Sequence, residues 1–376
     1  MKYEFYRNDS NLSLFSKILK IDWLLLLLLL ILLFCGCLAL YSAAGGNWHP
    51  WAIRHLEKGI LGFVLAIFIA FTDIKIIYKY AWYPLILSIL MLLILYLTSD
   101  GRVNRWLDLG FIKIQPSEFA KVSLILALSR FFHDVSINDH GKILYSFLAV
   151  IISTPIIFLT IVQPDLGTSI MQILLVAAMI YIAGLRVWMI ILSFAGFLAS
   201  MPIIWFQLHD YQKRRILTFL DPNQDALGAG YHITQSKIAL GSGGIFGKGF
   251  LQGSQSHLNF LPEKQTDFIF TMLGEEFGLA GGLFIIMIFS LLILYGYIIS
   301  FIQSSQFSRI MCVGIVFMIF SFVFVNIGMV SGIIPVVGAP LPLISYGGTS
   351  MLTTFIAFGL IMSASIHRND RIDFKN

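Results

Sequence analysis

WLLLLLLLILLFCGCLAL, residues 23–40, runs for eighteen residues without a charge. A helix needs roughly 20 apolar residues to cross the ~30 Å hydrocarbon core of a bilayer, and this run, taken from 22 to 42, is long enough. It exceeds the ~7–15 residue core of a secretory signal peptide, so it reads as a retained span. Nine further candidate spans follow, at about 55–72, 79–98, 117–133, 144–162, 166–184, 187–206, 277–302, 310–329 and 351–366. Lys58 interrupts the second and Lys121 the fourth. Of the 376 residues 58% are hydrophobic and 12% charged, whereas an ordinary soluble domain has about 25% charged residues. The deficit covers the whole length. The expected fold is therefore all-α: a polytopic membrane protein of about ten transmembrane helices, forming one membrane domain over residues 1–376.

An even number of spans puts both termini on one side. The loops on that side carry thirteen Lys and Arg residues and those on the other side carry twelve. Six of the twelve lie in one long loop, 207–266 between spans seven and eight, and long loops count little in setting orientation. Without them the ratio is thirteen to six. The termini, 1–21 and 367–376, are thus expected in the cytoplasm, with the large 207–266 loop outside. The formal charge of +5 raises the question of nucleic acid, but the cations sit in short clusters between apolar runs, as membrane-flanking or anion-binding charge does. No zinc-finger or RNA-binding signature accompanies them, so the membrane is an expected partner and nucleic acid is not. Cys35, Cys37 and Cys312 lie inside apolar runs and read as packing residues. The eight histidines show no HExxH or paired metal spacing.

The polar outer segments hold the candidate chemistry. Asp267, in LPEKQTDFIF (261–270), precedes a span; with Thr266 as N-cap it falls in the first helical turn, as either a dipole-complementing carboxylate or a general base. Glu275, eight residues on, shares nearly the same helix face. Glu118 and Lys121 are spaced for an ion pair, with anion binding by Lys121 as the alternative. Arg102 and Arg105 with Trp106 can grip a phosphate and stack on a sugar, or Trp106 can simply anchor the interface. Asp165 lies in QPDLG (163–167), at the outer ends of two spans. SGIIPVVGAPLPLISYGGTS (331–350) is too rich in Gly and Pro to continue a helix. At membrane depth such backbone survives only where it is buried or lines a wet cavity. GSGGIFGKG (241–249) fails as an ATP phosphate loop, because Ser242 stands where Gly is needed and Gly249 where Ser or Thr is needed. It reads instead as a flexible loop that lets backbone approach a ligand.

Taken together, RWLDLG…QPSEFAK (105–121), QPDLGTS (163–169), GYHITQSKIALGSGGIFGKG (230–249), LPEKQTDFIF (261–270) and PLPLISYGGTSM (340–351) resemble the SEDS proteins of shape, elongation, division and sporulation. The resemblance runs through all ten spans in order and is closest to the rod-shape (RodA) branch. Gln265 replaces the branch's usual His, and Arg102-Val103 replaces a small Gly-Ala pair. The resemblance implies a peptidoglycan glycosyltransferase of the bacterial cytoplasmic (inner) membrane that polymerises lipid II on the outer face. Its partners would be a class B penicillin-binding protein, a transpeptidase, and other elongation-complex proteins. Asp267 matches the family's essential Asp, and Ser345 and Tyr346 belong to a matching motif. The chemistry needs one base for the acceptor hydroxyl and positive charge for the leaving diphosphate. Asp267 with Arg102, Arg105, Lys121 and Lys237 meets that need. A divalent cation such as magnesium or manganese could bridge carboxylate and diphosphate, though the residues do not show one. Two other classes are a lipid II flippase and a non-catalytic scaffold; a flippase should keep charge at mid-span in both leaflets, whereas here the charges gather at one face.

Overall fold

The computed structural model describes residues 14–98, 105–108, 110, 113–135, 141–184, 187–207, 210–221, 228–257 and 263–372. In chain order the elements are α1 (Leu14–Leu19), α2 (Trp23–Ala43), α3 (Ala52–Phe71), α4 (Ile74–Tyr80), α5 (Trp82–Thr98), β1 (Leu107–Asp108), β2 (Lys113–Ile114), α6 (Pro116–Asp134), α7 (Ile143–Val162) and α8 (Leu166–Ile182). They continue as α9 (Val187–Gln207), α10 (Asp210–Leu220), α11 (Ala229–Ser242), α12 (Ser254–His257), α13 (Ile269–Phe301), α14 (Gln306–Val330) and α15 (Gly348–Ile366). β1 and β2 form a two-stranded antiparallel ribbon pairing Leu107 with Ile114 and Asp108 with Lys113.

Each of the ten expected spans coincides with a helix: α2, α3, α5 to α9, α13, α14 and α15. Among the described residues five of these, α2, α7, α13, α14 and α15, are long and apolar enough to cross a membrane on those criteria alone. α3 with α4, bent 99° from it, makes a sixth. The shortfall has physical causes. α5 and α8 have only 17 residues each. α6 carries Glu118, Lys121, Arg130 and Asp134, and it can do so because every residue from Ala120 to Ser129 is buried. It packs against α5, α7, α8, α14 and α15. Helices at the periphery instead turn large apolar side chains outward, such as Phe68, Leu97, Phe158 and Leu283, as a lipid-facing surface requires. α3 and α15 approach closely: a Cβ added at Gly62 would strike the Phe355 ring, and one at Gly359 would lie 2.8 Å from the Ala66 carbonyl.

The 207–266 segment is not a featureless loop, since α10, α11 and α12 occupy much of it. Its glycine run also differs from the expectation of a flexible, ligand-approaching loop. Lys248 N–H and Gly249 N–H donate to the carbonyls of Glu275 and Glu276 at 3.0 Å each, and Leu279 and Ala280 donate back to Gly244 and Ile245 at 2.9 and 3.0 Å. Backbone therefore clamps backbone, and a side chain at Gly243 or Gly247 would collide with the carbonyls of Gly274 or Glu276. The clamp grips α13 where it breaks, at Gly278 (φ 67°, ψ −162°). α13 has 33 residues, or roughly 50 Å of continuous helix at 1.5 Å per residue. The break divides it into a short N-terminal piece that follows Asp267 and a longer apolar piece that forms the eighth span.

Gly278→Ala should therefore destabilise the protein. The left-handed backbone alone costs on the order of 1–3 kcal/mol for a non-glycine residue, and the new Cβ would meet the Gly247 and Ile245 backbone. Gly196→Ala, with no heavy atom within 4 Å of the added carbon, should stay within about 0.5 kcal/mol of wild type. Thermal unfolding in detergent checks both; equal melting temperatures would contradict the clamp.

Candidate active site

Two irregular segments meet at the N-terminal end of α13 and the C-terminal end of α14. The first is the turn Glu263–Phe268, which leads into α13. The second is the stretch from Ser331 to Gly347 between α14 and α15. Ser345 Oγ donates to the Thr266 carbonyl at 2.6 Å and accepts from Leu341 N–H at 2.7 Å. Tyr346 N–H donates to the Gln265 carbonyl at 2.8 Å. Asn326 of α14, fully buried, donates from one amide nitrogen to the carbonyls of Asp267 (2.9 Å) and Ala339 (2.7 Å). From α3, His55 Nε2 donates to the Leu343 carbonyl at 3.0 Å. Each segment also holds a non-glycine residue in the left-handed region, Glu263 at φ 57° and Leu343 at φ 61°. Such positions persist only where their surroundings over-determine them.

Asp267 lies in this turn, two residues before α13 begins at Ile269. That differs from the expected first helical turn. The expected N-cap, Thr266, directs its hydroxyl to the Glu263 carbonyl and carboxylate at 3.2 and 2.9 Å instead. Asp267 is half-buried, and Gly338 comes so near that a Cβ there would lie 3.2 Å from Oδ2. In the same turn, burial pushes the Lys264 ammonium below the ordinary lysine range.

Asp267 lines a cavity of ≈ 170 Å³ together with Arg105, Trp106, Glu118, Asp165 and Tyr346. Five separate stretches of chain thus bring one expected site residue or more to one place. Gln115, Thr168 and Ser350 are further polar walls. Asp165 caps α8, accepting from Thr168 N–H at 3.5 Å and its hydroxyl at 2.9 Å. It also faces Arg105, whose Nη1 is 3.7 Å from Oδ1 and whose Nη2 donates to the Pro164 carbonyl at 2.6 Å. Gln115 Nε2 reaches the other Asp165 oxygen at 3.3 Å. Below them Lys121 pairs with Glu118 at 2.6 Å, both buried, with the ammonium 3.9 Å from the centre of the Phe322 ring.

The other expected residues lie elsewhere. Ser345 is buried behind the cavity as the brace already described. Glu275 is fully buried on the far side of α13, accepting from Lys248 Nζ at 2.7 Å and Gln255 N–H at 2.9 Å. It secures the glycine clamp and does not line the cavity. Lys237 is exposed on α11 and packs its stem against Gly332. Arg102 lies outside the described residues. Among the described residues no group of three or more His, Cys, Asp or Glu side chains is placed to hold a metal ion. Sequence reasoning missed Asn326, whose only signal is an amide inside an apolar run, and Gln115 and Thr168, which stand beside residues that were singled out. A second, larger cavity of ≈ 1270 Å³ opens between α7, α8, α13 and α14, with walls almost entirely apolar. It has no acid–base equipment.

Removing one partner of a buried ion pair leaves an uncompensated charge and costs about 3–5 kcal/mol. Lys121→Ala should therefore lower the melting temperature as well as any activity. The double variant Glu118→Gln, Lys121→Met should regain much of the stability without the activity. If Lys121→Ala melted like wild type, the pair would not be load-sharing in the folded state.

The FtsW/RodA/SpoVE model of cell cycle proteins matches residues 18–370. Peptidoglycan glycosyltransferase MrdB of Escherichia coli K12 is 42% identical over 359 residues, covering 93% of this chain and 94% of its own. Stage V sporulation protein E of Bacillus subtilis is 33% identical over 365 residues, covering 92% and 96%. Among solved structures, a chain of a peptidoglycan synthase complex that coordinates polymerization and crosslinking superposes with a TM-score of 0.79 at 25% identity, covering 93% of this chain and 98% of that one. The rod shape determining protein RodA of Thermus thermophilus shares the fold, with a TM-score of 0.69 at 23% identity and coverage of 93% and 97%. With the family model spanning nearly the whole chain and the fold shared with RodA, this multi-pass membrane protein belongs to the FtsW/RodA/SpoVE family of cell cycle proteins.

Proposed function

We infer that the protein is a peptidoglycan glycosyltransferase of the bacterial inner membrane that polymerises lipid II into glycan strands during cell elongation. The observation that carries this reading is the 42% identity over 93% of the chain to a peptidoglycan glycosyltransferase. The cavity that gathers Asp267, Arg105 and Trp106 supports it. The termini are cytoplasmic and the cavity opens on the outer face, a reading supported by the loop charges.

The donor sugar is held through an α-linked diphosphate and the product bond is β-1,4, so a single in-line displacement inverts the centre. The acceptor 4-hydroxyl oxygen attacks the donor anomeric carbon; the new C–O bond forms as the bond to the diphosphate oxygen breaks. Asp267 takes the hydroxyl proton as general base, and its half-buried setting limits competition from water. The lipid diphosphate leaves as an anion and needs no acid, only positive charge where its own charge develops. Arg105 supplies this at the cavity wall, with its guanidinium oriented by Asp165 and Pro164. Trp106, 42% exposed, offers a flat face to a sugar. A magnesium or manganese ion, if bound, would take Asp267 as a ligand and supply charge to the leaving diphosphate.

Asp267→Asn keeps the size and removes the basicity. Purified in detergent with lipid II, it should lose about 10²–10⁴-fold in polymerisation rate while its melting temperature holds. Normal glycan products from this variant would remove Asp267 from the chemistry. Detergent also separates the polymerase reading from a flippase, because flipping has no meaning there.

The chain's partner is a class B penicillin-binding protein, a reading supported by the similarity to a chain of a synthase complex that couples polymerization with crosslinking. Through the glycine clamp, force on the 207–266 segment reaches the N-terminal piece of α13 and so the Asp267 turn. Polymerisation should therefore run faster with the transpeptidase bound. Equal rates with bound and absent partner would reject activation and leave the catalytic assignment in place.

A further inference from the structure

The polymerisation reaction brings together two lipid-linked substrates, each with its own diphosphate. The cations at the cavity are already engaged: Arg105 faces Asp165, and Lys121 is paired with Glu118. Another cation stands nearby that the site so far has not used. Lys58, the residue that interrupts the second span, is half-buried on α3. It is the seventh residue of that helix, roughly 9 Å along its axis at 1.5 Å per residue. Its ammonium lies 5.0 Å from the centre of the Tyr346 ring, and Tyr346 lines the cavity and bonds through its N–H to Gln265, two residues from Asp267. Gly348 makes room for it, since a Cβ there would stand 2.8 Å from Nζ and 3.0 Å from the two carbons before it. Among the described residues Lys58 has no carboxylate partner and no hydrogen bond; its recorded contact is the Tyr346 ring.

An ammonium within a span is costly unless an anion or a wet cavity compensates it, and such residues face functional surfaces. A neutral ring offers only part of that compensation. Tyr346 has the cavity on one side and Lys58 over its face, so a ligand anion beside Tyr346 on the α3–α15 side would meet Lys58 first. The first N–H groups of α15, whose N-cap Gly347 has no capping side chain, point the same electrostatic way.

We propose that Lys58 is a further substrate-binding residue, holding the diphosphate of the second lipid-linked substrate on the α3–α15 side of Asp267 while Arg105 serves the first on the other. This rests on the glycosyltransferase reading. It gives each diphosphate its own cation, as the transfer of a sugar from one lipid-linked chain to the other requires.

The test uses the full chain in detergent, extending a lipid-linked glycan oligomer with lipid II, each varied with the other saturating. Lys58→Gln should raise KM at least ten-fold for one of the two substrates, and that substrate is the one Lys58 holds. The other KM and kcat should stay within about threefold, and Lys58→Arg should restore most of the loss. Direct binding of a short-chain prenyl diphosphate gives a reading that does not need turnover: affinity should fall at least five-fold in Lys58→Gln and recover in Lys58→Arg. Unchanged KM values and unchanged binding would overturn the proposal. So would a loss of kcat or melting temperature shared equally by Lys58→Gln and Lys58→Arg, which would mark a packing role against Tyr346. A wild-type chain that binds prenyl diphosphate but makes no glycan would count against the glycosyltransferase reading, and the binding comparison would still decide the role of Lys58.

Discussion

One buried amide holds the site together. Asn326 donates to Asp267 and to Ala339, so the Asp267 turn and the segment after α14 share a single fixed point. The need for it comes from the bilayer. Backbone that leaves the helix at membrane depth must find partners within the protein, because each unsatisfied group there costs several kcal/mol. The two irregular segments meet this need largely through each other and their neighbours. Ser345 serves both, Tyr346 N–H serves Gln265, and His55 serves Leu343. The position of the Asp267 carboxylate is thus a by-product of satisfying backbone in a medium without water.

The charges follow a related logic. α6 is a largely buried helix, and a lone charge on it would be ruinous; Glu118 and Lys121 are tolerable there as a pair one helical turn apart. Buried pairs of this kind contribute little net stability compared with apolar residues of the same size, so their presence so close to the cavity points to a use beyond packing. Arg105 is held differently. Asp165 and the Pro164 carbonyl fix its guanidinium from the start of α8, which anchors to a helix end a cation carried by the segment before β1. Preorganised charge of this sort needs no rearrangement when a diphosphate is released.

How much of this could be read from the residues differs by feature. The spans were legible because lipid imposes length and apolarity on each one, and the bounds expected for α2, α7 and α14 fall within a few residues of the helices. The Glu118–Lys121 pair followed from spacing alone. Asp267, Arg105, Asp165 and Tyr346 were legible as candidates through the family motifs, yet their convergence on one cavity is a tertiary fact that no local pattern carries. Glu275 illustrates the limit. Its spacing from Asp267 suggested a common face, but Asp267 stands in the turn before α13 begins, so helical spacing does not link the two, and Glu275 pairs with Lys248 of the glycine run. The same run looked like a ligand loop because glycine permits close approach of backbone to anything, and composition cannot say whether the neighbour is a ligand or another stretch of chain. Asn326 left almost no trace, being one amide in a long apolar run.

The break in α13 also bears on how the protein sits in membranes of different thickness. A continuous spanning helix answers a thicker or thinner bilayer by changing its tilt, and a rigid rod 33 residues long would swing its N-terminal end, with the Asp267 turn attached, at every such change. The break at Gly278 takes the chain out of that line, and the glycine run bonds to α13 on both sides of it, so backbone fixes the angle between the two pieces. The Asp267 turn thus takes its depth from bonds within the protein rather than from the lipid beside it.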